Sequence, residues 1–371
     1  MELISFTVPT DPPVMDRSPI LLRCDANRNV GWEPFYQCLT YAAALQRRRR
    51  PAYFLGQIEP FPLLSQIVRG GNDYLKAGHT VGTAEDCDET IREIRRLNAG
   101  AVIVNAPGVQ EEYLRELSST GTTVVVIDSE AQVRFPNRMV INPLLGKPLS
   151  TYKWESGTQL LLGRKYAIVR SVFRRQRALR SGDPQGSHRG IIALGEDDFA
   201  GQSLVRAQEI LAASRVDKLT VLVRSHHEQL EELRKLAEKN KSRLEVLTEP
   251  SELGTRLPRA HFALTCGDGL SLEMACVGVP QLIITQNSRH VPNAKKMDED
   301  GAATYLGVHD QVTVSAVRDA VNYLLDDQLE RIGMSRCARM MIDGKGPDRL
   351  VNGLEILIHE PAEADGLRLV A

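Results

Sequence analysis

The sequence has no large excess of either charge and no long apolar run. Its 371 residues include 46 Lys and Arg against 47 Asp and Glu, so the net charge is −1. This balance argues against a protein that mainly coats nucleic acid, because phosphate binding usually needs a basic excess. No apolar stretch reaches the roughly 18–20 residues that span a bilayer. We therefore expect no nucleic-acid partner and no transmembrane segment.

The few cysteines show no pattern of metal ligands or disulfides. They lie at positions 24, 38, 87, 266, 276 and 337, without a Cys-x-x-Cys pair or a histidine at zinc-ligand spacing. The N-terminal residues lack the basic and apolar segments of a secretory signal. We therefore expect free thiols, a cytoplasmic location, and neither a metal nor another cofactor.

Short runs rich in β-branched residues alternate with longer segments of helical spacing. This alternation indicates parallel sheets covered by helices on both faces. In the first half, the pattern predicts strands at Ile20–Arg23, Ala52–Leu55, Ala101–Val104, Thr123–Ile127 and Arg138–Ile141, and helices at Phe35–Arg49, Ala84–Asn98 and Gln110–Ser118. In the second half, it predicts strands at Gly190–Ala193, Leu219–Val223, Arg243–Leu247, His261–Leu264, Gln281–Ile284 and Ala303–Leu306, and helices at Gln202–Ala213, His227–Lys239, Leu270–Val277, Pro292–Glu299, Val314–Leu325, Gln328–Met341 and Pro347–His359.

The alternation is interrupted at Arg174–Arg189, a basic segment broken by Gly, Ser and Pro, which predicts an interdomain linker. The length suits two domains of about 150–180 residues. We expect two doubly wound α/β domains with a ligand cleft between the carboxyl ends of their strands. The predicted units are an irregular N-terminal extension (1–18), a Rossmann-like domain (19–180), a linker (181–189), a nucleotide-binding Rossmann-like domain (190–345) and a C-terminal helix packing back toward the first domain (346–371).

The most informative segment runs from 261 to 307. Gly267 and Gly269 stand where a strand turns into a helix, so backbone N–H groups and the helix dipole can face an anion. Glu273, one turn into that helix, could contact a ribose diol, although it could equally be a solvated helix residue. Asp197 and Asp198 could hold a divalent cation, but a lone acidic pair is usually a solvated loop.

Several segments along the chain match one family in order. They are LRCDA (22–26) followed by Val30-Gly31, INPLLG (141–146), LGRKYAIVR (162–170), the glycine-containing turn with Leu272-Glu273 and VGVP (277–280), Arg289-His290 before GAA (301–303), and DGKGPDRLV (343–351). These residues resemble the GT-B glycosyltransferase-like family, above all the UDP-sugar hydrolase of pseudaminic acid biosynthesis and the spore-coat polysaccharide biosynthesis proteins. The resemblance implies a GT-B-like fold and a nucleotide-sugar ligand. It assigns nucleotide binding to Gly195, Gly267, Gly269, Leu270, Glu273, Arg289 and His290.

The sequence departs from the family at the position of its catalytic histidine. In the family, Ile-Gly-x-Gly-His supplies the general base that activates a water molecule; here Glu33 stands on the second glycine and Pro34 on the histidine. Proline has no proton-accepting side chain. Asp25 or Glu33 would then have to act as the base. Asp268, in the glycine-containing turn, would repel a diphosphate unless a cation such as Arg289 compensates.

Two hypotheses of different classes follow. One is an enzyme of surface-glycan or nonulosonic acid biosynthesis with an altered site, either a nucleotide-sugar hydrolase or a glycosyltransferase. The other is a catalytically inactive relative that binds a nucleotide sugar or a partner protein. At the level of sequence both stay open, as do a changed ligand without a nucleotide and the oligomeric state.

Overall fold

The computed structural model describes residues 17–28, 30–195, 198, 200–213 and 215–359. The described part of the first half forms the strands β1 (Ile20–Arg23), β2 (Ala52–Gly56), β3 (Asp73–Lys76), β4 (Ala101–Val104), β5 (Thr123–Ile127), β6 (Arg134–Phe135), β7 (Met139–Asn142), β8 (Lys153–Trp154) and β9 (Gln159–Leu162). Its helices are α1 (Glu33–Arg47), α2 (Phe61–Arg69), α3 (Ala84–Leu97) and α4 (Glu111–Ser119).

The strands among the described residues of the second half are β10 (Arg189–Ala193), β11 (Lys218–Leu222), β12 (Leu244–Leu247), β13 (Phe262–Thr265), β14 (Gln281–Thr285) and β15 (Thr304–Val308). Its helices are α5 (Ser171–Leu179), α6 (Gln202–Ala213), α7 (Leu230–Lys239), α8 (Gly269–Val277), α9 (Val291–Glu299), α10 (Val314–Asp326), α11 (Gln328–Met341) and α12 (Gly346–His359). Short 3₁₀ helices lie at Leu149–Thr151, Arg164–Tyr166, Pro250–Thr255, Leu257–Arg259 and Ser288–His290.

Two parallel sheets organise these elements. The first has the order β3-β2-β1-β4-β5-β7-β9 and the second the order β12-β11-β10-β13-β14-β15, while β6 and β8 form a separate small pair. The central strands β1, β4 and β13 are buried along their whole length, as expected where helices cover both faces of a parallel sheet. We call the first sheet with α1–α4 and α12 the first lobe, and the second sheet with α5–α11 the second lobe. The predicted fold of two Rossmann-like domains is confirmed, and every predicted strand is present within two residues of its predicted ends.

The prediction of a linker at Arg174–Arg189 is wrong for its first part, because residues 171–179 form α5. Phe173 of this helix is fully buried. Arg177 donates hydrogen bonds to the carbonyl oxygens of Cys276 and Ile342, both at 2.9 Å. Arg177 therefore binds helix-end carbonyl groups of the second lobe, where positive charge is favourable, whereas Arg174 and Arg175 are exposed.

α12 leaves the second lobe and packs on α1 of the first. Four of its apolar side chains, Leu350, Val351, Leu354 and Leu357, belong to the buried core beside β1 and α1. Arg50, 2% exposed, donates to both carboxylate oxygens of Glu355 at 2.7 and 2.5 Å. Among the described helices, none is long and apolar enough to cross a membrane.

Candidate functional site

A cleft that opens to solvent lies between the carboxyl ends of the two sheets. Residues of both lobes line it, because the loops that follow parallel strands all emerge at the same sheet edge. The residues that line it include Glu33, Tyr36, Gln37, Pro143, Leu144, Arg170, Gly195, Arg224, Asp268, Gly269, Leu270 and Glu273. We call this space the main cavity.

A smaller compartment adjoins the main cavity on the first-lobe side. The two spaces share Glu33, Gln37, Pro143 and Leu144. The smaller one is also lined by Pro34, Asn105, Asp128, Glu130 and Arg289. We call it the side compartment. The predicted position of the missing histidine, Pro34, thus faces the side compartment.

The glycine-containing turn connects β13 to α8 at the edge of the main cavity. Gly267 has φ +78°, a region that disfavours other residues, and a Cβ added there would lie 3.2 Å from Ala294 Cβ. Its carbonyl accepts a hydrogen bond from Asn293 Nδ2 at 2.7 Å. Gly269 and Leu270 line the cavity, whereas Gly267 does not. Gly267 therefore shapes the turn, and the first residues of α8 face the space.

Asp268 is the N-cap of α8. Its Oδ1 accepts hydrogen bonds from the backbone N–H and the hydroxyl of Ser271, at 3.0 and 3.1 Å. Capping satisfies a backbone donor that the helix itself leaves unpaired. Asp268 thus has a local structural role that its sequence position alone did not indicate. The residue is 7% exposed and lines the main cavity.

Glu273 does not present a free carboxylate to the cavity. Arg170 binds it through its backbone N–H, at 2.7 Å from Oε1, and through Nε, at 2.9 and 3.0 Å from the two oxygens; Nη2 donates to Oε2 as well. Only 5% of the Glu273 side chain is exposed. A ribose diol would have to share this carboxylate with Arg170, so the predicted contact stays a prediction.

Two arginines in the cavity were not identified from the sequence. The Arg170 guanidinium lies 5.0 Å from the centre of the Tyr36 ring, and that of Arg224 lies 5.2 Å from the same ring. Arg224 also lies 5.6 Å from the Trp32 ring centre. All three distances fall within the range of cation–π attraction. Arg170 ends the LGRKYAIVR match and Arg224 follows β11 by two residues, and these were the only sequence signals for them.

The two predicted bases occupy different environments. Glu33, the first residue of α1, accepts a hydrogen bond from Arg289 Nη2 of the second lobe at 2.8 Å and from Gln37 Nε2 at 3.1 Å. Asp25, 1% exposed, is bound by Arg23 Nη1 at 2.5 Å and by the backbone N–H of Gln57 at 2.9 Å. Asp25 lines neither the main cavity nor the side compartment.

Asp25 belongs to a buried ion cluster beneath the sheet edge. Arg23, fully buried, also donates from Nε to Asp86 Oδ1 at 2.7 Å. Asp86 Oδ2 in turn accepts from the hydroxyl of Tyr113 at 2.8 Å. The role of Asp25 as a base is therefore not supported by its position, because Arg23 binds it inside the lobe. Asp86, the other carboxylate that Arg23 binds, is 63 residues from Arg23 in the sequence.

Arg289 and His290 lie on the short helix that follows β14, and the structure separates their surroundings. Arg289 lines the side compartment, where Nη1 lies 4.0 Å from Glu130 Oε1. His290 is 8% exposed and neither ring nitrogen has a hydrogen-bond partner among the described residues. Burial lowers the pKa of His290, so the imidazole is neutral. The structure does not bring His290 to the lining of either space.

Gly195 lines the main cavity with φ +96° at the end of β10. The loop that follows includes Glu196 and Asp197, which lie outside the described residues, so the proposed aspartate pair cannot be followed there. Asp198 accepts backbone hydrogen bonds from Gln202 and Ser203, at 3.0 and 2.6 Å, at the start of α6. Within the described ranges, no group of three or more His, Cys, Asp or Glu is arranged to hold a metal ion.

Known proteins share this architecture. The spore coat polysaccharide biosynthesis protein SpsG of Bacillus subtilis (strain 168) is 23% identical over 278 residues, covering 73% of this chain and 80% of SpsG. The crystal structure of Acinetobacter baumannii MurG is similar with a TM-score of 0.63 and 14% identity, over 91% of this chain and 99% of MurG. The chain has the GT-B fold of glycosyltransferases.

A second similar structure contains a nucleotide. The spinosyn rhamnosyltransferase SpnG, complexed with thymidine diphosphate, has a TM-score of 0.59 and 14% identity, over 91% of this chain and all of SpnG. No protein-family model matches the chain. The structural likenesses therefore establish the fold, and the site must be interpreted from its own residues.

Proposed function

We propose that this chain binds a nucleoside-diphosphate sugar, with UDP as the expected nucleotide, in the main cavity. The carrying observation is that the N-terminal residues of α8, Gly269 and Leu270, line a space that Arg224 also lines. Arg170 lines the same space, but its guanidinium is bound to Glu273. A helix N-terminus offers backbone N–H groups and the positive end of the dipole, and arginine binds phosphate oxygens in paired hydrogen bonds. These groups suit a diphosphate.

We further propose that the side compartment holds the sugar and the incoming water or hydroxyl. It adjoins the main cavity through Glu33 and Gln37, so a ligand whose diphosphate lies near α8 could extend into it. The chain would then act in polysaccharide biosynthesis, as a glycosyltransferase or as a hydrolase of the kind found in nonulosonic acid synthesis. The similarity to SpsG, a polysaccharide biosynthesis protein, and to SpnG, a rhamnosyltransferase, supports this class of function.

We also propose the domain units given above, with the end of the first unit moved from residue 180 to before residue 171, and a cytoplasmic location. The burial of Phe173 of α5 in the core of the second lobe supports this boundary. Expression of residues 19–170 alone would leave out α12, which supplies part of the first lobe's core. Limited proteolysis of the full chain is therefore the suitable measurement, and cleavage near 181–188 is expected first.

The binding test is calorimetry with UDP, other nucleoside diphosphates and UDP-sugars. We expect UDP to bind and Arg224→Gln to weaken its affinity about tenfold, near 1.4 kcal/mol, because one phosphate-facing guanidinium is lost. Arg256→Gln is the matched control, since Arg256 pairs with Glu245 on the surface, away from both spaces. No binding of any nucleotide, or equal effects of both substitutions, would contradict the proposal.

The alternative, a chain that binds a nucleotide sugar without transforming it, is favoured by one observation. Neither predicted base is unpaired: Arg23 binds Asp25 and Arg289 binds Glu33. Pro34 supplies no proton acceptor. Measurement of UDP released from a panel of UDP-sugars separates the two functions, because only the enzyme produces UDP in proportion to time. Binding without release would select the alternative.

A further inference from the structure

Reaction at an anomeric carbon requires a group that accepts the proton of the incoming water or hydroxyl. Of the residues lining the side compartment, three are carboxylates: Glu33, Asp128 and Glu130. Arg289 lies 2.8 Å from Glu33 and 4.0 Å from Glu130. A carboxylate bound to a guanidinium is a weaker proton acceptor, because the pairing favours its charged form. Asp128 forms no such pair within 4.0 Å among the described residues.

Asp128 occupies a position where parallel sheets commonly carry site residues. It follows β5 directly, at the carboxyl end of the strand, and Asn105 follows the neighbouring strand β4. Both residues line the side compartment together with Pro34. The carboxylate therefore faces the same space as the position at which the resembling family carries its histidine.

The two oxygens of Asp128 have different surroundings. Oδ1 accepts hydrogen bonds from the backbone N–H groups of Glu130 and Ala131, at 3.0 and 2.6 Å. These bonds fix the orientation of the carboxylate by closing a turn. Oδ2 has no hydrogen-bond partner among the described residues and is not one of the buried unpaired atoms. One oxygen is thus held by the backbone while the other is available to a ligand.

The charge around Asp128 supports the same role. Burial raises the pKa of Asp128 above its ordinary value, and the charge of Glu130 acts in the same direction. The two backbone hydrogen bonds and the charge of Lys147 oppose the increase. A carboxylate with a raised pKa is a better general base at neutral pH than an ordinary one.

We propose that Asp128 is the catalytic base of this chain, an assignment that rests on the proposed function. Oδ2 takes a proton from a water or sugar hydroxyl in the side compartment. The oxygen of the deprotonated water or hydroxyl forms a bond to the anomeric carbon, while the bond between the anomeric carbon and the diphosphate oxygen breaks. The nucleoside diphosphate leaves with the electron pair, and the proton on Asp128 passes to solvent. No oxidant, reductant or metal is consumed in this step.

The experiment compares Asp128→Asn with the wild-type chain in UDP release from UDP-sugars and in calorimetric binding of UDP. We expect kcat to fall about 10²–10⁴-fold, the usual contribution of a general base, while the Kd of UDP stays within about twofold. Sodium formate should restore part of the turnover of Asp128→Ala by supplying an external carboxylate. Asp73→Asn, an exposed aspartate on β3, is the matched control and should retain full turnover.

Three outcomes would overturn the assignment. Asp128→Asn could lose less than tenfold in kcat, or its loss could be accompanied by an equal loss of UDP affinity. The wild-type chain could bind UDP and release none from any UDP-sugar. That result would contradict the assignment of a catalytic base and would leave the proposed binding function intact. Absence of UDP binding by the wild type would instead contradict the proposed function itself. If Asp128→Asn does not fold, Asp128→Ser retains an oxygen acceptor for the turn and provides the same comparison.

Discussion

The two walls of the cleft hold their carboxylates in different ways. On the second-lobe wall (Asp268, Gly269, Leu270 and Glu273), Asp268 caps α8 and Glu273 is bound by Arg170. On the first-lobe wall (Glu33, Pro34, Asp128 and Glu130), Arg289 of the opposite lobe lies 2.8 Å from Glu33 and 4.0 Å from Glu130, whereas Asp128 keeps an oxygen available. We infer that the second-lobe carboxylates maintain the shape of the site, whereas Asp128 on the first-lobe wall is available for chemistry. Removing them should therefore affect different properties.

The largest expected effect is that of Glu273→Gln on stability. The substitution leaves the largely buried guanidinium of Arg170 without its charged partner, and breaking such a pair costs about 3 kcal/mol. Urea unfolding measures the loss. Glu231→Gln is the control, because its pair with Arg234 is solvent-exposed and should contribute less than about 0.5 kcal/mol. Equal losses in the two variants would abolish the distinction between structural and available carboxylates.

A smaller loss is expected from Gly267→Ala. The positive φ and the 3.2 Å approach to Ala294 both disfavour a Cβ, so stability should fall by about 2 kcal/mol. Gly333→Ala in α11 is the matched control, since a Cβ there meets nothing within 4 Å and φ is not positive. That variant should gain about 0.5–1 kcal/mol through helix propensity. A Gly267→Ala chain as stable as the wild type would show that the turn is not held by its neighbours.

Asp268 allows capping and charge to be separated. Asp268→Ala should lose about 1 kcal/mol in urea unfolding, because the N-cap oxygen is removed. Asp268→Asn retains an oxygen for Ser271 and should stay within a few tenths of a kcal/mol. If the negative charge opposes a diphosphate, calorimetry should show UDP binding about three- to tenfold tighter to Asp268→Asn. Unchanged affinity would mean that Asp268 acts on α8 alone.

The smallest expected effect has the opposite sign. Because folding raises the pKa of Asp128, the charged carboxylate disfavours the folded state, and this penalty is present at neutral pH. Asp128→Asn should therefore be as stable as the wild type or more stable, by less than about 1 kcal/mol near pH 7. The advantage should shrink as the pH falls through the raised pKa and vanish below the ordinary value of 3.8. Thermal unfolding of both chains across this pH range provides the measurement, and a marked loss of stability in the variant at pH 7 would place Asp128 with the structural carboxylates.

The alternation of elements was predictable because buried parallel strands are runs of β-branched residues bounded by turns. β4 and β5 have this form and were predicted with their observed bounds. α2 was missed, because prolines at its start indicate a loop although the first turn of a helix tolerates proline. β3 was missed because it lies at the sheet edge and is not fully buried at any residue, so it carries no apolar run.

The site was predictable only where its geometry is local. The turn at Gly267 and the start of α8 lie within a few residues of one another, so their arrangement followed from strand, glycine and helix. The pairing of Glu273 with Arg170 joins residues 103 apart, and Asp128 meets Pro34 only through the order of strands in the sheet. The arginines at the end of α1 carry no local sign of their partners, yet Arg47 and Arg50 form ion pairs with α12. Tertiary contacts of this kind leave no periodic signal.

The return of α12 to the first lobe has a consequence for synthesis on the ribosome. Domains commonly fold in order as the chain emerges, the N-terminal one first. Here the apolar surface of α1 is covered by Leu350, Val351, Leu354 and Leu357, which are translated about 300 residues after it. The first lobe must therefore wait, with that surface uncovered, until the second lobe has been translated. A nascent chain interrupted before residue 346 would present this surface to chaperones, and the surface is covered only once α12 has been translated.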